Sequence, residues 1–322
     1  MTAIKKIAVL TTGGDAPGMN AAIRAVVRYG ISKGLEVFGG FRGYHGLIND
    51  QLKLLNHRSV SNIIGQGGTI LKTERCPEFS TDRGKQKAYQ VVKKNAIDGL
   101  IIIGGNGSFA AIHSFYAKYK VPCIGIPASI DNDINGIDVT IGSDTAINTA
   151  LAAIDNIRDT ATSMERIFVV EVMGRDSGYI ALQVALAGGC EDVIIPEMKF
   201  DLDLCINKII QGHEKGKVSW IIVVAEGAGK AEDLAKKITE KTQLESRAIV
   251  LGHVQRGGRP TAFSRSLALC LGEAAVDSLL EGQTDKAVGL SCGKILTVDF
   301  AIAIKKKDLK VEKLYNLIKI LT

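Results

Sequence analysis

No two of the six cysteines (Cys76, Cys123, Cys190, Cys205, Cys270, Cys292) form a Cys-x-x-Cys pair, and their spacing gives no framework. In a chain of 322 residues this excludes a disulfide-stapled scaffold and points to reduced, mostly buried thiols. No apolar run reaches the roughly 18 residues of a membrane helix. Lys5 and Lys6 lead into a stretch, Ile7 to Thr12, too short for a signal-peptide core. The expectation is a soluble, cytoplasmic protein without membrane association. Internal repeats and low-complexity linkers are also missing, and 46% hydrophobic residues with 23% charged exclude disorder. The longest basic run, Lys305 to Lys307, carries no interleaved aromatics and is expected to be a solvated face. Lys and Arg number 40 against 34 Asp and Glu, and the resulting charge of +6 permits anionic ligands without requiring nucleic acid.

What is present is glycine, 35 residues, at places that suggest turns near a ligand. The length suggests about two domains. Short β-branched runs each stop at glycine or a polar loop: Ile7 to Thr12, Gly99 to Ile103, Pro122 to Pro127, Ile167 to Val172, Ser219 to Ala225 and Arg247 to Leu251. Near-continuous apolar strands imply burial on both faces, as in a parallel sheet covered by helices. Helices are expected at Met19 to Ser32, Phe109 to Tyr119, Thr145 to Thr160, Ser177 to Ala187, Leu202 to Lys215, Ala231 to Lys241 and Phe263 to Leu280, with Ser108 and Asp144 as caps. The fold class is α/β, doubly wound, and ligands then belong at the carboxyl ends of the strands.

The loops at those ends hold the candidate chemistry. Gly13 to Asn20 and Gly104-Gly105-Asn106-Gly107-Ser108 each run from a strand into a helix, and neither is a P-loop or a GxGxxG. Each alone is equally a structural turn or a phosphate cradle; two in one sheet favour a polyphosphate. In Ser129-Ile130-Asp131-Asn132-Asp133, carboxylates at i and i+2 of an extended loop share a side, and can divide proton transfer from holding a metal-bound phosphate. An Asx-rich turn is the plainer alternative. Met173-Gly174-Arg175, Arg247, and His253 to Arg256 put cations after strands, with Arg75 and Arg166 in addition, which suits a phosphate monoester; a single arginine there is more often a surface ion pair, and the repeated placement favours the phosphate. His45, His113 and His213 show no partner pattern.

Together, KKIAVLTTGGDAPGMNAAIRAVVR, PCIGIPASIDNDI, VVEVMGRDSGY, LAGGCEDVIIPE and RAIVLGHVQRGGRP make the chain resemble, over essentially its whole length, the bacterial ATP-dependent 6-phosphofructokinases. The resemblance implies two doubly wound domains, 1–141 plus 255–304 for ATP and 142–254 plus 305–322 for the sugar phosphate, with the active site between them. It implies the glycolytic phosphorylation of fructose 6-phosphate to fructose 1,6-bisphosphate. Asp131 would then be the base, aided by Ser129, Asp133 and Arg175. Gly14, Arg75, Cys76 and Gly104 to Ser108 would bind ATP. Met173, Gly174, Arg175, Glu226, His253 and Arg256 would bind the sugar phosphate, as would Arg166 and Arg247 from a neighbouring subunit of a homotetramer. Arg24, Arg28, Arg158, Glu191, Lys215 and Lys217 would bind an effector, ADP or phosphoenolpyruvate.

Several positions depart from the family pattern. Asn106 stands where the family has an Asp near the Mg²⁺ of MgATP, which leaves a catalytically weakened, regulatory paralogue as an alternative. Ser129 replaces the usual Thr. His57, Arg58, Asn62 and Gln66 replace Arg, Tyr, Asp and Arg around the effector pocket. Gly107 and Ala128 stand where the pyrophosphate-dependent branch has Asp and Lys, so ATP is the expected donor.

Overall fold

The computed structural model describes residues 4–322. These divide into two compact units: unit 1 runs up to Thr145 and resumes at Arg256–Asp308, and unit 2 holds Ala146–Gln255 and Leu309–Thr322. Along the chain, unit 1 forms β1 (Lys6–Thr11), α1 (Met19–Ser32), β2 (Glu36–Gly40), α2 (Gly43–Ile48), β3 (Leu52–Leu55), α3 (Asp82–Lys94), β4 (Gly99–Gly104), α4 (Asn106–Tyr119) and β5 (Cys123–Pro127). Helix α5 (Ser143–Met164) carries the chain into unit 2, which adds β6 (Ile167–Val172), α6 (Tyr179–Ala187), β7 (Asp192–Ile194), α7 (Leu202–Glu214), β8 (Trp220–Ala225), α8 (Ala231–Thr242) and β9 (Ser246–Val250). Unit 1 then gains α9 (Ala262–Leu280), β10 (Lys286–Ser291), β11 (Lys294–Asp299) and α10 (Phe300–Ala303), and α11 (Glu312–Leu321) returns to unit 2.

The unit 1 sheet has the order β11-β10-β5-β4-β1-β2-β3. Its middle is parallel, and β3 and β11 are antiparallel to their neighbours, so the sheet is mixed rather than wholly parallel. The unit 2 sheet, β7-β8-β6-β9, is parallel throughout. Strands β4, β6 and β8 are buried along their full length, which is why they lack alternation. Phe79, Phe109, Phe115 and Phe300 are fully buried in unit 1, each stabilising the fold by roughly 1.5–3 kcal/mol relative to exposure. Trp220 packs with Val169, Ile209 and Ile222 in the core of unit 2.

Three expectations need correction. Helix α4 begins at Asn106 with Gly105 as its N-cap, so Ser108 lies inside the first turn; Asp144 likewise lies inside α5 rather than capping it. The ring of His113 does have a partner, the Asp285 carboxylate at 2.9 Å. Lys305 and Lys306 are exposed, but Lys307 is half-buried and bonded to three backbone carbonyls. No described helix is long and apolar enough to cross a membrane.

Candidate active site

At the carboxyl ends of β1, β4 and β5, unit 1 opens a cleft of about 440 Å³. Parallel strands deliver three successive loops to one edge, and the cleft gathers Gly13 and Gly14, Gly105 to Ser108, and Ala128 to Asp131 with Asp133. Arg75, Cys76 and Arg256 line it as well. A Cβ on Gly14 would stand 2.5 Å from Arg256 Nη1, so a side chain there would displace that guanidinium. Arg256 Nη1 donates to the Asp15 carbonyl at 3.2 Å, which sets its guanidinium against the first glycine loop. Gly107 faces open space, with nothing within 4 Å of where a Cβ would be. Helix α4 points its N-terminus, Asn106 onward, into this space, where unpaired N–H groups and the helix dipole favour an anion. Burial pushes the Cys76 thiol up from its ordinary value.

The carboxylates are set by an interlocked loop. Asn132 turns the chain through φ +50°, so the segment is not the extended strand that the i, i+2 spacing suggests. Asp131 and Asp133 nevertheless both line the cleft. Asp133 accepts from Ser129 Oγ at 2.8 Å and from Asn106 Nδ2 at 2.8 Å, while Asn106 Nδ2 also reaches the Asp133 carbonyl at 2.9 Å. Thr140 Oγ1 bonds to the Ser129 carbonyl and closes the loop's base. The Asn106 oxygen is buried without a hydrogen-bond partner, the chemistry of a site for a cation or its water.

Two supports went unnoticed in the sequence. Tyr44, buried and stacked at 4.0 Å on Phe79, donates its hydroxyl to the Ser108 carbonyl at 2.7 Å and so braces the first turn of α4. Thr73 Oγ1 donates to the Gly13 carbonyl at 2.7 Å. Tyr44 follows Gly43 and Thr73 stands between Lys72 and Glu74, and neither belongs to a motif that the sequence singles out.

In unit 2 the loops after β6 and β8 interlock. Gly174, at φ +136°, accepts from Gly227 N at 3.1 Å, and a Cβ on it would stand 2.3 Å from the Ser177 carbonyl. This contact brings Met173, Gly174 and Arg175 to Glu226, with Arg175 exposed. Gln255, wholly buried, accepts from Met173 N at 2.8 Å and ties this loop to the short helical turn that exposes His253. Arg166 donates to Glu245 at 2.7 Å, and Arg247 bonds the same carboxylate.

The remaining six candidates fall in two groups. In unit 1, Arg24 and Arg28 lie one helical turn apart on α1 and donate to the carbonyls of Val60 (2.8 Å) and His57 (3.4 Å). Burial first, then the charge of Arg28, draws the Arg24 guanidinium below its ordinary value. In unit 2, Arg158 donates to the Gly189 carbonyl at 2.9 Å, Glu191 pairs with Lys217 at 3.1 Å, and Lys215 caps α7.

The family model described as phosphofructokinase matches residues 6–279. This chain belongs to the phosphofructokinase family. It is 49% identical over 319 residues, 99% of this chain and 100% of the relative, to the ATP-dependent 6-phosphofructokinase of Thermotoga neapolitana. It is 51% identical to that of Bacillus pumilus, over 98% of each chain. Among solved phosphofructokinases, the Saccharomyces cerevisiae structure superposes with a TM-score of 0.88 at 34% identity; 98% of this chain spans 48% of that longer one. The pyrophosphate-dependent phosphofructokinase structure from Marinobacter aquaeolei, at 20% identity and a TM-score of 0.84 over 98% of this chain and 91% of its own, shares the fold.

Proposed function

We infer that this chain phosphorylates fructose 6-phosphate to fructose 1,6-bisphosphate with ATP as donor, as a glycolytic phosphotransferase of the cytoplasm. The observation that carries the reading is the unit 1 cleft, where two glycine loops, a helix N-terminus and the carboxylates of Asp131 and Asp133 converge. Phosphoryl transfer asks for positioning and charge neutralisation more than for covalent chemistry, and this arrangement supplies both. The backbone of Gly104 to Ser108, with Gly14, Arg75 and Cys76, holds the nucleotide. Asp131 accepts the proton of the sugar 1-hydroxyl as that oxygen attacks the γ-phosphoryl group. An ordinary carboxylate suffices, because the hydroxyl becomes acidic only as the P–O bond forms. Ser129 and Asp133 hold the loop in register.

The unpartnered Asn106 oxygen fits Mg²⁺ carried in by the nucleotide, an ion that keeps several waters and takes few protein ligands. When bound, the ion would neutralise charge on the transferring phosphoryl group. Met173, Gly174, Arg175, Glu226, His253 and Arg256 bind the sugar phosphate. Arg166 and Arg247 serve the site of a neighbouring subunit in a homotetramer. Their shared anchor, Glu245, holds the two guanidiniums side by side, as a phosphate monoester needs. Nothing in the comparisons favours the weakened-paralogue reading.

A coupled assay with fructose 6-phosphate tests the reading. Turnover is expected with MgATP and far less with pyrophosphate, since Gly107 leaves space for a nucleoside diphosphate group where a side chain would stand. Equal or faster turnover with pyrophosphate overturns the donor, and no turnover with either overturns the reaction. Asp131→Asn is expected to lower kcat by roughly 10²- to 10⁴-fold with little change in KM for the sugar phosphate.

A further inference from the structure

The chain that follows Asp131 forms no strand and is fixed by side chains together with isolated backbone bridges, Ile134 to Lys306 and Val139 to Leu290. Asn132 is buried and donates from Nδ2 to the Asp138 carbonyl at 2.8 Å, drawing residues 132–138 into a closed loop. Lys307, distant in sequence, reaches this same loop. Its Nζ lies 2.6 Å from the Ile137 carbonyl, 3.0 Å from that of Asn132 and 3.4 Å from that of Asp138. An ammonium group has three donors and no acceptor, so three converging carbonyls match its capacity. The far side is braced independently: the Asp138 carboxylate accepts from Cys292 N at 2.6 Å and from Ser291 Oγ at 3.3 Å, in the β10–β11 turn. Ile134 and Lys306 form an isolated antiparallel bridge that aligns the lysine with the loop.

Lys307 is not itself a lining residue of the cleft. Burial draws its ammonium below the ordinary lysine value, and the nearby carboxylates of Asp138 and Asp133 oppose that shift. A desolvated ammonium held in this way offsets its burial only through the carbonyls and carboxylates it meets. The two residues that flank Asn132 are Asp131 and Asp133, both lining the cleft. We propose that Lys307 is a positioning residue for phosphoryl transfer, clamping the carbonyls of Asn132, Ile137 and Asp138 so that Asp131 and Asp133 are held at their working positions. The proposal rests on the function inferred above.

Lys307→Met keeps the length of the side chain and removes its charge and donors, and Lys307→Arg keeps the charge but cannot direct three donors from a single nitrogen. For Lys307→Met, kcat is expected to fall roughly 10- to 100-fold, the scale of a misplaced reacting group, with KM for MgATP within about two-fold of wild type. Hydrogen exchange is expected to accelerate at the amides of residues 132–139 and not in β6 or β8. Lys307→Arg is expected between the two. Wild-type kcat in Lys307→Met, or a loss of kcat without faster exchange in that loop, overturns the proposal. If Lys307→Met does not fold, Lys307→Arg carries the test: kcat about 3- to 10-fold below wild type at unchanged KM supports the clamp, and wild-type kcat overturns it. Asp131→Asn, measured alongside, separates the two levels of inference. Retained kcat there removes the functional reading, whereas its collapse beside an unaffected Lys307→Met removes the clamp alone.

Discussion

At Asn106 the side-chain nitrogen holds Asp133 by both its carbonyl and its carboxylate, while the oxygen is buried without a partner. A carboxylate in its place would reverse this: no donor would remain for Asp133, and two negative charges would meet across a hydrogen-bond distance unless a cation lay between them. Asn106→Asp is therefore expected to melt at a lower temperature than wild type without divalent cations and to regain stability with MgATP. Its kcat/KM for MgATP is expected to rise by about 5- to 150-fold, the effect of on the order of 1–3 kcal/mol for a charge-assisted contact. Melting curves with and without Mg²⁺, alongside steady-state kinetics, check both parts. The mass of the 106–107 peptide must be measured first, because an Asn-Gly pair deamidates readily. Cleft residues such as Gly105, Ser129 and Asp133 were legible because each stands in a dense polar motif at a strand end. Tyr44, Thr73 and Lys307 were not, because each acts through a backbone carbonyl from far away in sequence, and Gln255, though inside the His253 to Arg256 motif, gave no sign that it holds Met173 N. Lys307 in particular is indistinguishable in sequence from its two solvated neighbours; only the closed loop makes it different.

Helix α1 and strand β6 have the limits their sequences suggest, because an amphipathic stripe and a wholly apolar run are the strongest local signals. Strands β2, β3, β10 and β11 carried no such signal. Strand β11, Lys294–Asp299, has no buried residue, and β3, Leu52–Leu55, has only one, so tertiary pairing at the sheet's edges decides them. Helix α3, Asp82–Lys94, hides behind its cations: only Ala88, Val91 and Val92 offer an apolar stripe, and its N-cap, Thr81, bonds Gly84 N at 3.0 Å. Strand β7, three residues long, opens with a charged residue, Asp192, that is only 6% exposed. Burial raises the Asp192 carboxyl from 3.8; the Val193 N–H and the charges of Lys208 and Lys319 pull it partly back. A raised folded value means the folded chain binds this proton more tightly than the unfolded one. The associated stability is present below the unfolded value and lost as pH rises through the folded one. Asp192→Asn, which keeps an acceptor for Val193 and cannot ionise, is expected to remove that loss, raising Tm near pH 7 by about 2–4 °C with little change in strong acid. A Tm lowered equally at both pH values would show that the carboxylate itself is needed by β7.

Control by effectors is expected to be a property of the assembled protein, since the family resemblance implies a pocket at a subunit interface; of its six expected anchors, Arg24 and Arg28 lie in unit 1 and Arg158, Glu191, Lys215 and Lys217 in unit 2. Arg24 and Arg28 face one another's charge, so an added phosphate relieves repulsion as well as making new bonds. Binding of a nucleoside diphosphate or phosphoenolpyruvate is accordingly expected. Coupling is a separate quantity: it requires contacts that differ between two global states. The loop facing α1 now offers carbonyls, at His57 and Val60, as partners for the two arginines, and His57, Arg58, Asn62 and Gln66 replace the side chains the family pattern has there. Gln66 donates only to the Asn62 carbonyl of its own loop, at 3.1 Å. The four replaced side chains are all exposed, where contacts that differ between two states would reside, so their replacement is expected to blunt the coupling. ADP and phosphoenolpyruvate are therefore expected to raise Tm while shifting half-saturation by fructose 6-phosphate less than about 5-fold, a coupling below about 1 kcal/mol. Near-hyperbolic kinetics in fructose 6-phosphate, together with sedimentation of the enzyme as a tetramer, is the expected result. Steeply sigmoidal kinetics that phosphoenolpyruvate strengthens and ADP relieves would show that the coupling resides in the six anchors and not in the loop beside them.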